Sequence, residues 1–142
     1  MRILGIAGSL RRGSHNRVLL RAASAMLPPG AQLVTWDGLA GLPPFNEDRE
    51  AAPPAPVRAL VAEIARADAL LIATPEYNAS IPGALKNALD WASRPFPENA
   101  LRRKPCAVIG ASTGPFGAEP RFRDRPIPER RRRPMEARAS RC

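Results

Sequence analysis

The stretch "ADALLIATPEYNASIPGALKNALDW", residues 67–91, decides the fold. Its first half, "ADALLI", is an unbroken apolar run of strand length. Such a run belongs to a strand buried on both faces. The chain then leaves the core through Pro-Glu-Tyr-Asn. A helix is predicted over "SIPGALKNALDWAS" (80–93), with Ser80 as N-cap and Pro82 in the first turn, where a missing N–H costs nothing.

The same grammar repeats on both sides. "RILGIAG" (2–8) is a continuous apolar run ending in glycine, and "NRVLLRAASAM" (16–26) follows with Val18, Leu19, Ala22 and Met26 at helical spacing. "AQLVTWD" (31–37) reads as a second strand. Residues 38–56 are polar and rich in proline, which predicts a surface loop. "PVRALVAEIARAD" (56–68) carries Val57, Leu60, Val61 and Ile64 on one helical face, with Pro56 suited to the first turn. "KPCAVIGAS" (104–112) is a fourth strand entering a loop of small residues. Strands alternating with amphipathic helices predict an α/β domain with a parallel sheet and helices on both faces. Ligands of such sheets sit at the carboxyl ends of the strands. The loops at 8–16, 74–80 and 111–117 are therefore expected to converge on one site.

"GSLRRGSHN" (8–16) joins a strand to a helix N-terminus. Gly8 and Gly13 allow tight turning and close approach, Ser9, Ser14 and Asn16 offer polar groups, and Arg11 supplies charge. Free N–H groups and the helix dipole complete a phosphate cradle. Two named motifs fail: the G-x-x-x-x-G spacing lacks the P-loop lysine, since Ser14 and His15 stand in its place, and G-x-G-x-x-G is absent. The plain alternative is a polar turn with a helix cap. In "TPEYN", backbone groups can meet the edge of a planar heterocycle. Pro75 stiffens the loop, Tyr77 offers a ring or hydroxyl, and Asn78 offers a paired donor and acceptor. Glu76 is read as an ion-pair partner of an arginine in the same or a partner subunit. The plain alternative there is a loop anchored by tyrosine. "STG" (112–114) is a third loop able to approach a ring.

Composition bounds the rest. At 142 residues the chain is one domain. Two cysteines and one histidine give no disulfide framework and no zinc pattern, which points to a reducing cytoplasm. The apolar start before Arg11 is too short for a signal peptide, and no segment reaches membrane-spanning length. The net charge is +9, and more than half of it lies in residues 119–142, where nine arginines face Glu119, Asp124, Glu129 and Glu136.

Together "GSLRRGSHN", "LPPFNED" (42–48), the 67–95 stretch and "RKPCAVIGASTG" (103–114) resemble the NADPH-dependent FMN reductase family. That family includes bacterial quinone and chromate reductases and related azoreductases. The resemblance runs from residue 1 to about Gly117, and "PEYN-SIPG-LKN-LDW" carries it most specifically. It implies a flavodoxin-like three-layer fold and FMN at the convergent loops. Ser9, Arg11, Ser14, His15 and Asn16 match the phosphate loop, Pro75, Glu76, Tyr77 and Asn78 the loop along the isoalloxazine, and Ser112 and Gly114 the third loop. It further implies NADPH or NADH as co-substrate, a small-molecule electron acceptor (quinone, flavin, azo compound or metal oxyanion such as chromate), and a homodimer or homotetramer. The chemistry would lie on flavin N5, with no catalytic side chain and no metal.

The resemblance stops where "EPRFRDRPIPERRRRPMEARASRC" begins. Residues 1–118 are read as the flavodoxin-like domain, with its last strand and helices missing. Residues 119–142 are read as a disordered basic tail, because four prolines oppose regular structure and few apolar residues are present to offset ordering entropy. Arg-, Pro- and Ala-rich text suggests a frameshift in GC-rich DNA. The rival is a genuine polyanion-binding tail. It lacks lysine and aromatic interleaving, so nucleic acid is expected only nonspecifically. Two other functions compete with the reductase: an electron carrier of flavodoxin type, which the basic balance opposes, and a non-catalytic truncated paralogue or polyanion-binding protein on a relic domain.

Overall fold

The computed structural model describes residues 1–111. Ser112, Gly114, the boundary at 118/119 and the basic segment lie outside the described residues. Four strands, β1 (Arg2–Ala7), β2 (Gln32–Trp36), β3 (Ala69–Ala73) and β4 (Cys106–Ile109), form one parallel sheet in the order β2-β1-β3-β4. Helices α1 (His15–Ala25), α2 (Ala55–Arg66) and α3 (Gly83–Ala92) connect them. This is the parallel α/β arrangement that the apolar runs predict, and it agrees with the flavodoxin-like fold that the resemblance implies.

Side-chain alternation along the strands divides the core into two layers. Leu4, Ile6, Leu70 and Ile72 pack with Leu60 and Ile64 of α2 and with Leu85 and Ala88 of α3. On the opposite face Ala7 and Ala73 pack with Leu20 of α1, and Leu33 and Leu71 join them. The chain leaves β1 for β2 through α1 and reaches β3 through α2. The topological switch therefore falls between β1 and β3, at whose carboxyl ends a ligand site is expected.

Two segments differ from expectation. The third helix starts at Gly83, not Ser80, and Pro82 is its N-cap, with extended backbone. Ile81 precedes a proline, which disfavours helical geometry there. Ser80 is occupied instead in a short bridge to Tyr77. The 38–56 segment is also not a simple surface loop. It holds two 3₁₀ turns, Gly38–Gly41 and Glu47–Arg49, and buries Leu39 in the core. Among the described residues no helix is long and apolar enough to cross a membrane.

Candidate functional site at the carboxyl edge of the sheet

Backbone hydrogen bonds continue past the strands and bring the loops together. The N–H of Gly8 donates to the Ala73 carbonyl at 2.8 Å, and that of Thr74 to the Ile109 carbonyl at 2.9 Å. Gly8 must be glycine here. A Cβ on it would stand 2.5 Å from Thr74 Oγ1 and 2.9 Å from Thr74 Cβ. Asn16 adds a second tie. Its Nδ2 donates to the Ala111 carbonyl at 3.3 Å, and its Oδ1 accepts from the Ala111 N–H at 3.0 Å. The carboxamide of Asn16 is thus spent on joining the first loop to the root of the third.

Within the first loop the polar groups divide by depth. Ser9, Ser14 and Asn16 are buried, whereas Arg11, Arg12, Gly13 and His15 are exposed. Ser14 is the N-cap of α1, yet it makes no side-chain cap hydrogen bond. Its Oγ is fully enclosed and has no partner among the described residues. A buried hydroxyl left unpaired is costly, and of the first helical turn the N–H groups of His15 and Asn16 have no backbone acceptor among the described residues, whereas that of Arg17 donates to the Ser14 carbonyl at 3.1 Å. An oxyanion seated here would satisfy both, and the helix dipole favours negative charge at this end. The loop closes as a turn: the Ser14 N–H donates to the Arg11 carbonyl at 3.2 Å, and the Arg11 N–H approaches Ser9 Oγ at 3.3 Å.

The second loop is a miniature hairpin. Tyr77 and Ser80 exchange N–H···O bonds of 2.8 and 3.1 Å. Between them Asn78 and Ala79 have φ of 53° and 59°. Two successive left-handed residues define the turn that matches strand twist. Asparagine tolerates this conformation, but alanine does so at a cost. Ala79→Gly is therefore expected to stabilise the chain by about 1 kcal/mol, read as a higher urea midpoint with an unchanged slope. Pro75 is buried, Glu76 and Asn78 are exposed, and Tyr77 is 51% exposed.

The "ALKNALDW" motif has a supporting role that the sequence did not reveal. Asn87 Nδ2 and Trp91 Nε1 both donate to the Pro43 carbonyl at 2.9 Å, and Asn87 Oδ1 accepts from the Phe45 N–H at 2.7 Å. Phe45 meets Trp91 edge to face at 5.0 Å. These contacts fix the "LPPF" segment to α3. Thr74, buried against Gly8, was also missed. Its only sequence signal is its place at the end of an apolar strand.

The model of the NADPH-dependent FMN reductase family matches residues 1–123. An NAD(P)H-dependent FMN reductase of Pseudomonas aeruginosa is 51% identical over 119 residues, covering 82% of this chain and 63% of its own length. A 2-hydroxy-1,4-benzoquinone reductase of a Burkholderia species is 45% identical over 117 residues, with the same two coverages. Among solved structures, a flavoenzyme NAD(P)H:(acceptor) oxidoreductase from Paracoccus denitrificans is similar with a TM-score of 0.73 and 39% identity, over 80% of this chain and 62% of that one. The chain thus spans a little under two thirds of the length of these relatives.

Proposed function

The chain belongs to the NADPH-dependent FMN reductase family, and we propose that its three-loop crest holds FMN and that the chain carries electrons from NAD(P)H to a small-molecule acceptor. The observation that supports this most directly is the enclosed, unpartnered hydroxyl of Ser14 at the α1 N-terminus. It fits a phosphate group and is otherwise a defect. Ser9, Ser14 and the N–H groups of His15 and Asn16 would hold the phosphate, with Arg11 neutralising charge. Pro75, Glu76, Tyr77 and Asn78 would wall the ring, and Ser112 and Gly114 are proposed for its far side. FMN, when bound, supplies the redox chemistry, while the protein supplies position, electrostatics and exclusion of water.

Quinones, free flavins, azo compounds and chromate are the acceptor classes of this reading, and a homodimer or homotetramer in the cytoplasm is its setting. Phe96, 78% exposed between two prolines, supports association. Domain limits of 1–118, followed by a basic tail, belong to the same proposal.

The test begins with a visible spectrum of the 142-residue chain after addition of FMN and desalting, followed by NAD(P)H turnover. Ser14→Ala separates phosphate binding from folding. It removes an unpaired group, so thermal stability should hold or rise slightly. FMN should bind roughly tenfold more weakly, about 1.4 kcal/mol. Equal FMN affinity in wild type and variant would remove the phosphate from this end of α1.

A further inference from the structure

The side chain of Asn16 reads in the sequence as one more polar group for the phosphate, but its geometry gives it a different task. Resting on the flavin reading above, we infer that Asn16 is a positioning residue for the ring end of the cofactor. Through Ala111 its carboxamide sets where the third loop begins, and it is not a phosphate ligand.

The root of the third loop has little else to hold it. Among the described residues β4 pairs on one side only. Its Cys106, Ala107 and Val108 are exposed, and so is Gly110, so packing restrains this end of the chain weakly. The Thr74 N–H grips the Ile109 carbonyl at 2.9 Å. Past Ile109, the only hydrogen bonds among the described residues are the two between Asn16 and Ala111, at 3.3 and 3.0 Å. A carboxamide carries an acceptor and donors side by side, so it can hold both the N–H and the carbonyl of one residue. Such a double tie fixes the orientation of Ala111 as well as its distance, and Ser112 is the next residue.

The arm that holds Ala111 is itself anchored. Asn16 is buried in the first turn of α1, and one turn on, Leu20 is fully buried against Ala7 and Ala73. The same first turn carries the unpartnered Ser14 hydroxyl and the N–H groups proposed for the phosphate. One rigid turn therefore references both ends of the ligand: Ser14 and the backbone for the phosphate, the Asn16 carboxamide for the loop beside the ring. Residue type alone permits either role, but the two roles answer to different halves of the flavin.

The experiment compares FMN with riboflavin, which lacks the phosphate. Each is titrated into the full chain and followed by quenching of flavin fluorescence. Asn16→Ala should weaken both about tenfold, so that their ratio holds, whereas Ser14→Ala should weaken FMN alone. Asn16→Asp supplies a readout that lost stability would not give. Its carboxylate still accepts from the Ala111 N–H but sets its other oxygen against the Ala111 carbonyl, and protonation restores a donor there. Riboflavin affinity of this variant should therefore climb toward the wild-type value as pH falls, with wild type measured at each pH. In the flavin-free chain, amide exchange at Ala111 should quicken in Asn16→Ala while the Leu4 and Ile6 amides stay protected. If those amides also lose protection, Asn16→Asp, which keeps the shape of the side chain, carries the test. Asn16→Ala weakening FMN alone would make the side chain a phosphate ligand, and weakening of neither flavin would leave the third loop independent of it. Either result, or riboflavin affinity of Asn16→Asp that ignores pH, overturns the assignment. Wild type that binds neither flavin sinks the flavin reading and the assignment with it, whereas flavin bound with the wrong pattern sinks the assignment alone.

Discussion

Trp91→Ala should lower the free energy of unfolding by about 3–5 kcal/mol, a large part of a net stability of roughly 5–15 kcal/mol. Trp91 is 1% exposed, and its indole does two things at once. It fills the layer between α3 and the 38–56 segment, and its N–H holds the Pro43 carbonyl at 2.9 Å. Truncation leaves a cavity and removes the edge-to-face partner of Phe45. The Phe45 amide should then lose protection from hydrogen exchange, because its acceptor, Asn87 Oδ1, depends on the same docking. Trp91→Phe separates the two roles. It retains most of the burial and leaves Asn87 as the remaining donor to Pro43, so its cost should be nearer 1 kcal/mol. A cost of 1 kcal/mol or less for the alanine variant would mean that the 43–45 segment is not anchored in solution.

That anchoring shows where the sequence was legible and where it was not. The two central strands were legible because a strand covered on both faces is apolar along its length, as "ILGIA" (3–7) and "ALLIA" (69–73) are. The convergence of the loops followed from the geometry of parallel sheets rather than from any loop residue. The make-up of the first loop was legible as composition: serines, arginine and glycine between a strand and a helix. The division of labour inside it was not. Asn16 reads as a ligand donor, yet its amide bonds to Ala111, 95 residues away, and no local pattern announces that pairing. Asn87 and Trp91 likewise reach Pro43 across more than forty residues. Ser80 was misplaced because cap chemistry favours serine, whereas the hairpin from Tyr77 had already claimed its backbone. In each case a tertiary partner decided between roles that the residue type permits equally.

Gly8→Ala puts the central contact of the site under direct strain. The added methyl would lie 2.5 Å from Thr74 Oγ1, 2.9 Å from Thr74 Cβ and 3.0 Å from Leu85 Cδ2. A rotating hydroxyl could yield, but a Cβ is fixed to its backbone, so the ends of β1 and β3 must move apart. Overpacking of this kind costs about 1–3 kcal/mol. The functional loss should be larger than the stability loss. The first two loops meet through Gly8 and Thr74, and a shift of even a few tenths of an ångström displaces Ser9 relative to Pro75. FMN retention after desalting should therefore fall to background in a variant that is still folded by circular dichroism at low temperature. Double variants locate the cause. Thr74→Ala keeps the offending Cβ and should not rescue Gly8→Ala. Thr74→Gly removes it, and the Gly8→Ala/Thr74→Gly pair should cost less than the sum of the two single changes. Strict additivity, or flavin retention by Gly8→Ala at the wild-type level, would show that the loops do not meet through this contact. The crest would then owe its shape to the backbone bonds of Gly8 and Thr74 and to the Asn16–Ala111 tie.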